Sequence, residues 1–237
     1  MREVFVAGVG MMRFGRFAER PIEDMGREVV LKALADAKVT GKQIQETFCG
    51  SGYGGLLLGQ RILRDMGLTG MAITNVENAC SSGTTALREG IAAVAMGRID
   101  IALVIGIDKL TKFGGGTVPL ETTDLEVGEG MVMPGLYAMR ARRYMHEFGA
   151  TSKHLAMVSV KAHKNGARNP YAQYQKEVGV DEVLKSRMIA DPLTMYMCCP
   201  TGDGAAAVVV TTGEKVRQLG VPSVKVLAST LQSGLYK

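Results

Sequence analysis

The chain has 237 residues, of which 46% are hydrophobic and 22% charged, and these proportions are typical of a soluble globular protein with one large domain or two small ones. Its 28 Lys and Arg against 23 Asp and Glu give a formal net charge of +5. No basic run is interleaved with aromatic residues, which argues against a nucleic-acid-binding protein. The basic excess predicts a solvated surface, with a phosphate-bearing small molecule as the alternative.

The four cysteines, Cys49, Cys80, Cys198 and Cys199, have neither a zinc-ligand spacing nor a secreted disulfide pattern. The sequence shows no signal peptide and no apolar run long enough to span a bilayer. We therefore expect a cytoplasmic protein without a structural metal and without a membrane partner.

The first elements alternate between strand and helix. Residues 3–9 predict a buried strand, and Pro21 opens a helix whose apolar residues recur at helical spacing through residue 38. A second strand over residues 45–51 leads into a glycine-rich turn, followed by a helix over residues 56–66. The glycine cluster fits no dinucleotide or P-loop template, so we interpret it as a structural turn and Cys49 beside it as a core residue.

Cys80 lies where a predicted strand over residues 71–76 turns into a small-residue helix over residues 81–96. The first N–H groups of a helix lack intrahelical partners and carry the positive end of its dipole, so this position favours a nucleophilic thiolate. The alternative is a buried cysteine that packs as a small hydrophobe. Placement alone leaves both interpretations open.

Residues 100–106 form an apolar run typical of a strand buried in a parallel sheet. Strands and helices in this alternation predict an α/β domain, with reactive groups at the carboxyl ends of the strands. Cys80 would lie at such an end.

After residue 109 the alternation of strands and helices stops. Residues 111–130 predict a loop, and three helices follow, over residues 134–148, 151–167 and 181–186. A buried strand over residues 205–210, a short helix over residues 214–219 and a strand over residues 224–228 complete the chain. His146, His154 and His163 have no metal-ligand spacing and predict helix surface. Cys198 and Cys199 are interpreted as packing or wall residues.

Three stretches together resemble the thiolase superfamily, specifically its sterol-carrier-protein-type and archaeal-type members. Residues 78–83 (NACSSG) match the motif around the acyl-accepting cysteine. Residues 159–165 (SVKAHKN) and 169–173 (NPYAQ) resemble the inserted loop domain, and residues 186–193 (SRMIADPL) and 203–207 (DGAAA) resemble the return to the first domain.

The resemblance implies a layered α/β/α N-terminal domain with an inserted, mostly helical loop domain. Its expected boundaries are residues 1–110 and 201–220 for the α/β domain and 111–200 for the loop domain. Residues 221–237 would begin a C-terminal thiolase-like domain that is otherwise absent from the sequence. The histidine and second cysteine that serve as acid and base in the family belong to that later half, so we expect another part of a longer chain, or another chain, to supply them.

The implied activity is acyl transfer from a 3-oxoacyl-CoA through a thioester on Cys80, with coenzyme A as co-substrate. Lys161, His163, Lys164 and Arg168 are the candidates for contacts with CoA phosphates, and a solvated basic helix explains them equally well. The family implies a homo-oligomer, a dimer or dimer of dimers, and a small zinc-ribbon/OB-fold protein as a further partner. Two alternatives are a thiolase-like retro-aldolase acting on a hydroxyacyl-CoA and a non-catalytic subunit of an acyl-CoA complex.

Overall fold

The computed structural model describes residues 1–234. Residues 235–237, the last three of the segment predicted to begin a C-terminal domain, lie outside the described residues. Contacts divide the chain into two compact units. The sheet unit comprises Met1–Met12, Phe17–Lys109 and the chain from Asp203 onward, and the helical unit comprises Arg13–Arg16 and Leu110–Gly202.

The sheet unit is built on six strands in the spatial order β3-β2-β4-β7-β1-β8. The strand bounds are β1 Val4–Met11, β2 Glu46–Gly50, β3 Ala72–Val76, β4 Ile101–Lys109, β7 Asp203–Thr212 and β8 Val224–Lys225. Its helices are α1 Ile22–Asp36, α2 Leu58–Arg64, α3 Ser82–Ala95 and α8 Gly213–Leu219. The predicted strands and helices of this unit are all present, although the strand predicted over residues 224–228 covers only its first two.

The sheet is mixed, which corrects the expectation of a parallel one. β2 pairs in parallel with β3 and with β4, whereas β4 and β1 both pair antiparallel with β7. An apolar run reports that a strand is covered on both faces, but it does not report the direction in which its neighbours run. The order of elements could therefore predict burial of β4 but not the antiparallel return of β7.

Alternating residues of β4 face two separate cores. Leu103, Ile105 and Ile107 pack in the cluster that contains α1 and α2, while Ala102 and Val104 pack in the cluster that contains α3. This is the period-2 alternation of a strand covered by helices on both faces. Each fully buried Val, Leu or Ile contributes roughly 1.5–3 kcal/mol, so the two helix layers and the sheet stabilise one another. The layered α/β/α fold is confirmed.

The helical unit contains four helices and a two-stranded hairpin, with bounds α4 Leu125–Gly128, α5 Met133–Phe148, α6 Ser152–Ala167, α7 Val180–Lys185, β5 Met188–Ala190 and β6 Leu193–Thr194. Thr151 and His154 form a capping box at the start of α6, and Ala156, Val178 and Val183 make a small core. Helix α4, capped by Asp124, interrupts the predicted loop, and the hairpin was not predicted. No helix among residues 1–234 is long and apolar enough to cross a membrane.

Candidate functional site

Cys80 lies on the turn that joins β3 to α3, and its side chain is exposed. β3 ends at Val76, a single 3-10 turn covers Ala79–Ser81, and α3 begins at Ser82. The structure therefore excludes the second of the two interpretations of Cys80, since a buried packing cysteine would not be exposed. The thiol stands just before the first turn of a fourteen-residue helix.

The turn that carries Cys80 is strained and held by hydrogen bonds. Ala79 has a φ of 46°, a left-handed conformation that costs a residue other than glycine roughly 1–2 kcal/mol. Ser82 is buried, and its Oγ accepts a hydrogen bond from the Asn78 N–H at 2.8 Å and donates one to the Ala79 carbonyl at 2.7 Å. Strained backbone of this kind persists where its surroundings determine it, and such positions cluster at functional sites.

Glycines allow the start of α3 to lie directly on the sheet. A Cβ added to Gly50, the last residue of β2, would overlap the backbone of Ser82. A Cβ added to Gly83 would lie 3.3 Å from the Cα of Gly106 in β4, and the reverse substitution meets the same limit. Because these three positions carry no side chain, the first turn of α3 packs directly on β2 and β4.

A neighbouring loop, residues 51–54, is fixed by Asp108 near the end of β4. The Asp108 carboxylate accepts hydrogen bonds from the Ser51 Oγ at 2.8 Å, the Gly52 N–H at 3.0 Å and the Tyr53 N–H at 2.8 Å. Burial raises the pKa of Tyr53, and the negative charges of Cys80, Asp108 and Glu77 raise it further. Sequence reasoning missed Asp108 and Tyr53; the available signal was a carboxylate that directly follows an apolar strand.

The other three cysteines have different surroundings. Cys49 is buried in the core of the sheet unit, as predicted, and burial raises its pKa to about 12. Cys198 is half-buried, and burial together with the neighbouring Cys199 raises its pKa. Cys199 is exposed, which excludes packing in a core and leaves the interpretation as a wall residue.

Three of the four candidate CoA-contact residues share one face of α6. At 100° per residue, Lys161 and Lys164 project within about 60° of each other, and Arg168 at the end of the helix falls between them. His163 projects to the other side, where its Nδ1 lies 3.0 Å from the Lys176 carbonyl and its ring makes an edge contact with Tyr196. The structure thus groups Lys161, Lys164 and Arg168 and separates His163 from them.

The helical unit also carries an open apolar groove of about 640 Å³, lined by Leu125, Val132, Met139 and their neighbours. No group of three or more His, Cys, Asp or Glu side chains with a metal-binding arrangement occurs among residues 1–234. The lining of the groove contains no cysteine or histidine.

Comparison with known proteins identifies a family with the same sequence pattern. Residues 4–214 match the family model described as "Thiolase, N-terminal domain". The chain is 40% identical over 240 residues to the benzoylsuccinyl-CoA thiolase subunit BbsB of Thauera aromatica, an alignment that covers 99% of this chain and 62% of the relative. It is 40% identical over 242 residues to an acetyl-CoA acetyltransferase of Methanothermobacter thermautotrophicus, covering 99% and 63%. The chain thus spans less than two thirds of the length of these two relatives.

Solved structures show the same fold. The structure of an "Ltp2-ChsH2(DUF35) aldolase" matches with a TM-score of 0.77 at 26% identity, covering 91% of this chain and 57% of the other. A monomeric SCP2-thiolase-like protein of Mycobacterium smegmatis matches with a TM-score of 0.75 at 20% identity, covering 92% and 47%.

Proposed function

The chain belongs to the thiolase family, whose N-terminal domain it carries, and on that premise we propose that it is the Cys80-bearing part of an acyltransferase acting on a 3-oxoacyl-CoA. The observation that carries the proposal is the exposed thiol on the strained turn between β3 and α3. The names of the acetyl-CoA acetyltransferase and thiolase-subunit relatives support the same class of reaction.

In the proposed reaction, the Cys80 thiolate attacks the keto carbon of the 3-oxoacyl-CoA. The bond between that carbon (C3) and C2, the carbon next to the CoA thioester, then breaks. The acyl group stays on Cys80 as a thioester, and the departing C2 carbanion takes a proton to become acetyl-CoA. A second CoA then attacks the thioester and releases Cys80. The oxyanion of each step needs aimed N–H donors, and the backbone N–H of Cys80 is the candidate from this chain.

CoA is proposed to bind through its phosphates to the basic stripe of Lys161, Lys164 and Arg168. The three side chains share one exposed face of α6, an arrangement suited to a group with several negative charges. His163 was a candidate for the same role, but its contacts with Lys176 and Tyr196 favour a structural role in the helical unit.

The proposed assembly is a homo-oligomer that also binds another protein. One relative is named as a subunit, and the name of one structural neighbour includes a DUF35 component. These names support a partner protein of the kind that the family resemblance implies.

A second candidate activity is retro-aldol cleavage of a hydroxyacyl-CoA. The observation that favours it is the 26% identical neighbour named as an aldolase. The two activities differ in their use of Cys80, because a retro-aldol cleavage forms no acyl thioester on the thiol.

The experiment uses the protein purified from its host with any bound subunits, mixed with a 3-oxoacyl-CoA without free CoA. We expect one acyl group on the peptide that contains Cys80, detected by mass spectrometry, and none on that peptide in Cys80→Ala. Cys199→Ala is the matched control, since it removes another exposed thiol and should leave the adduct intact. Cleavage of a hydroxyacyl-CoA that survives in Cys80→Ala, without an adduct in the wild type, would favour the aldolase.

A further inference from the structure

The loop of residues 51–54 connects Asp108 physically to the Cys80 turn. Asp108 holds the loop through three hydrogen bonds, two of them to the backbone. The Ser51 Oγ in turn accepts a hydrogen bond from the Gly54 N–H at 2.7 Å, which closes the loop on itself. A carboxylate that accepts several hydrogen bonds at once fixes both the position and the orientation of its donors.

The same loop lies close to the backbone next to Cys80. A Cβ placed on Gly52 would lie 3.4 Å from the Ala79 carbonyl oxygen and 3.7 Å from the Asp108 carboxylate. Gly52 therefore lies between the anchor and the strained residue that directly precedes Cys80. Any shift of the loop changes the space around the thiol.

A second anchor holds the far end of the loop. Arg61 on α2 donates to the carbonyls of Gly54 at 3.0 Å and Leu56 at 2.5 Å and pairs with Glu23 on α1. The loop is thus fixed at both ends, by Asp108 on the side of Cys80 and by Arg61 on the side of the helices. Tyr53, between these anchors, is half-buried and directly follows Gly52, on which an added Cβ would lie 3.4 Å from the Ala79 carbonyl oxygen.

We propose that Asp108 is a positioning residue for the Cys80 site and that Tyr53, held in place by Asp108, is a wall that limits the size of the group that reaches the thiol. This inference rests on the proposed role of Cys80 as acyl acceptor. It adds Tyr53 as the residue that selects acyl groups by size. Asp108 acts through the loop, whereas Tyr53 acts by the space that its ring occupies. The acyl chain next to the thioester would be restricted on this side.

The test compares two maleimides of different size, N-methylmaleimide and N-phenylmaleimide, on the full chain. The ratio of their labelling rates at Cys80 cancels any change in the ionisation of the thiol and reports the space around it. Cys49 serves as an internal check of folding, because it is buried and its pKa is raised, and it should stay unlabelled in every variant that folds. Cys199, which is exposed, gives the intrinsic ratio of the two reagents.

In Asp108→Ala we expect the phenyl-to-methyl ratio at Cys80 to rise about fivefold toward the value at Cys199, since all three hydrogen bonds to the loop are lost. Asp108→Asn, which keeps an acceptor oxygen, should give an intermediate ratio. Tyr53→Ala should reproduce the rise, while Tyr53→Phe should keep the wild-type ratio. The control is Asp100→Asn, an exposed carboxylate at the opposite end of β4, which should change nothing.

An unchanged ratio in both Asp108→Ala and Tyr53→Ala, with Cys49 protected, would overturn the proposal. If Cys49 is labelled in Asp108→Ala, that variant has not folded, and the ratio measured in Tyr53→Ala then tests the proposal. Because the labelling uses no CoA, a failure of the proposed acyl transfer would leave this result interpretable, and the two outcomes are distinguishable.

Discussion

Cys80 is exposed and directly precedes a long helix, a combination that none of the other three cysteines has. It is exposed just before the first turn of α3, whose unpaired N–H groups attract an anionic nucleophile. Cys49 and Cys198 are shielded and have raised pKa values. We predict that brief iodoacetamide treatment at neutral pH labels Cys80 several-fold faster than Cys199 and leaves Cys198 and Cys49 nearly unlabelled, as measured by peptide mass spectrometry. Faster labelling of any other cysteine would contradict the assignment of Cys80 as the nucleophile.

Cys49 gives the sheet unit a sensitivity to alkaline pH. Its pKa is raised from 9.0 to about 12 by burial, with the Asp108 charge as a smaller contribution. Above pH 9 the unfolded chain loses this proton while the folded chain keeps it, so the free energy of unfolding falls as the pH rises from about 9 to about 12. Below pH 9 the contribution of Cys49 is constant.

We therefore predict that, between about pH 8 and about pH 10.5, the wild type loses about 2 kcal/mol more of its free energy of unfolding than Cys49→Ala does. Urea denaturation at the two pH values measures this difference. Cys199→Ala is the control, because its exposed thiol should leave the pH dependence of the wild type unchanged. Parallel pH curves for the wild type and Cys49→Ala would show that Cys49 ionises alike in both states.

Sequence reasoning found Cys80 because a thiol at a strand-to-helix junction is a local pattern. It missed Asp108 and Tyr53, which lie 55 residues apart in sequence, because their relation is created by the parallel pairing of β2 with β4. The same limit applies to His163, whose place on α6 was predictable but whose contact with the Lys176 carbonyl was not.

Among the elements, α3 depends most on small residues. A Cβ on Gly50 would overlap the Ser82 backbone, which can move only if the whole start of α3 moves. We predict that Gly50→Ala lowers the free energy of unfolding by about 3 kcal/mol and changes the labelling rate of Cys80. Gly179→Ala is the matched control, because a Cβ there meets nothing within 4 Å, and its effect should stay within about 0.5 kcal/mol. Denaturant titration of both variants makes the comparison, and equal stabilities would show that α3 tolerates displacement.

Periodicity predicted most of the helices and strands. Whether a segment forms a helix or a strand depends on local signals such as Pro21 before α1 and the apolar run of β4. The hairpin of β5 and β6 was missed because each strand has three residues or fewer, too short to show alternation. Strand direction was missed at β7 because direction depends on where the chain returns after residues 110–202, which no local pattern records.

At the level of the whole molecule, β3 is an edge strand of the sheet, with Ala72, Thr74 and Asn75 exposed. An exposed edge presents unpaired backbone groups that can pair with another chain. We predict that the protein forms at least a dimer in which β3 pairs with its counterpart, and that Thr74→Lys weakens self-association at least about tenfold. Sedimentation equilibrium tests this, with Thr123→Lys in the helical unit as the control. Equal association of the wild type and Thr74→Lys would exclude β3 from the interface.

Turnover by residues 1–237 alone depends on whether they hold every group that the reaction needs. Acyl transfer needs a nucleophile, a base, an oxyanion site and a proton donor for the departing carbanion. The sheet unit offers the nucleophile, Cys80, and its backbone N–H, but all three histidines of the sequence lie in the helical unit. Tyr53 is a neutral phenol at neutral pH, since burial raises a pKa that is already well above 7, and the Asp108 carboxylate accepts hydrogen bonds from the loop of residues 51–54.

We therefore expect a base placed outside these residues to complete the reaction, and the absence of a positioned general base typically costs about 10²–10⁴-fold in rate. We predict no detectable steady release of acyl-CoA from a 3-oxoacyl-CoA by the purified 237-residue chain, and release on addition of a polypeptide that carries the remaining length of a thiolase relative. Cys80→Ala, mixed with the same polypeptide, should stay inactive and so attribute the restored activity to this chain. Steady multiple turnover by residues 1–237 alone that Cys80→Ala abolishes would show instead that the base lies within this chain, with the histidines of the helical unit as the first positions to substitute.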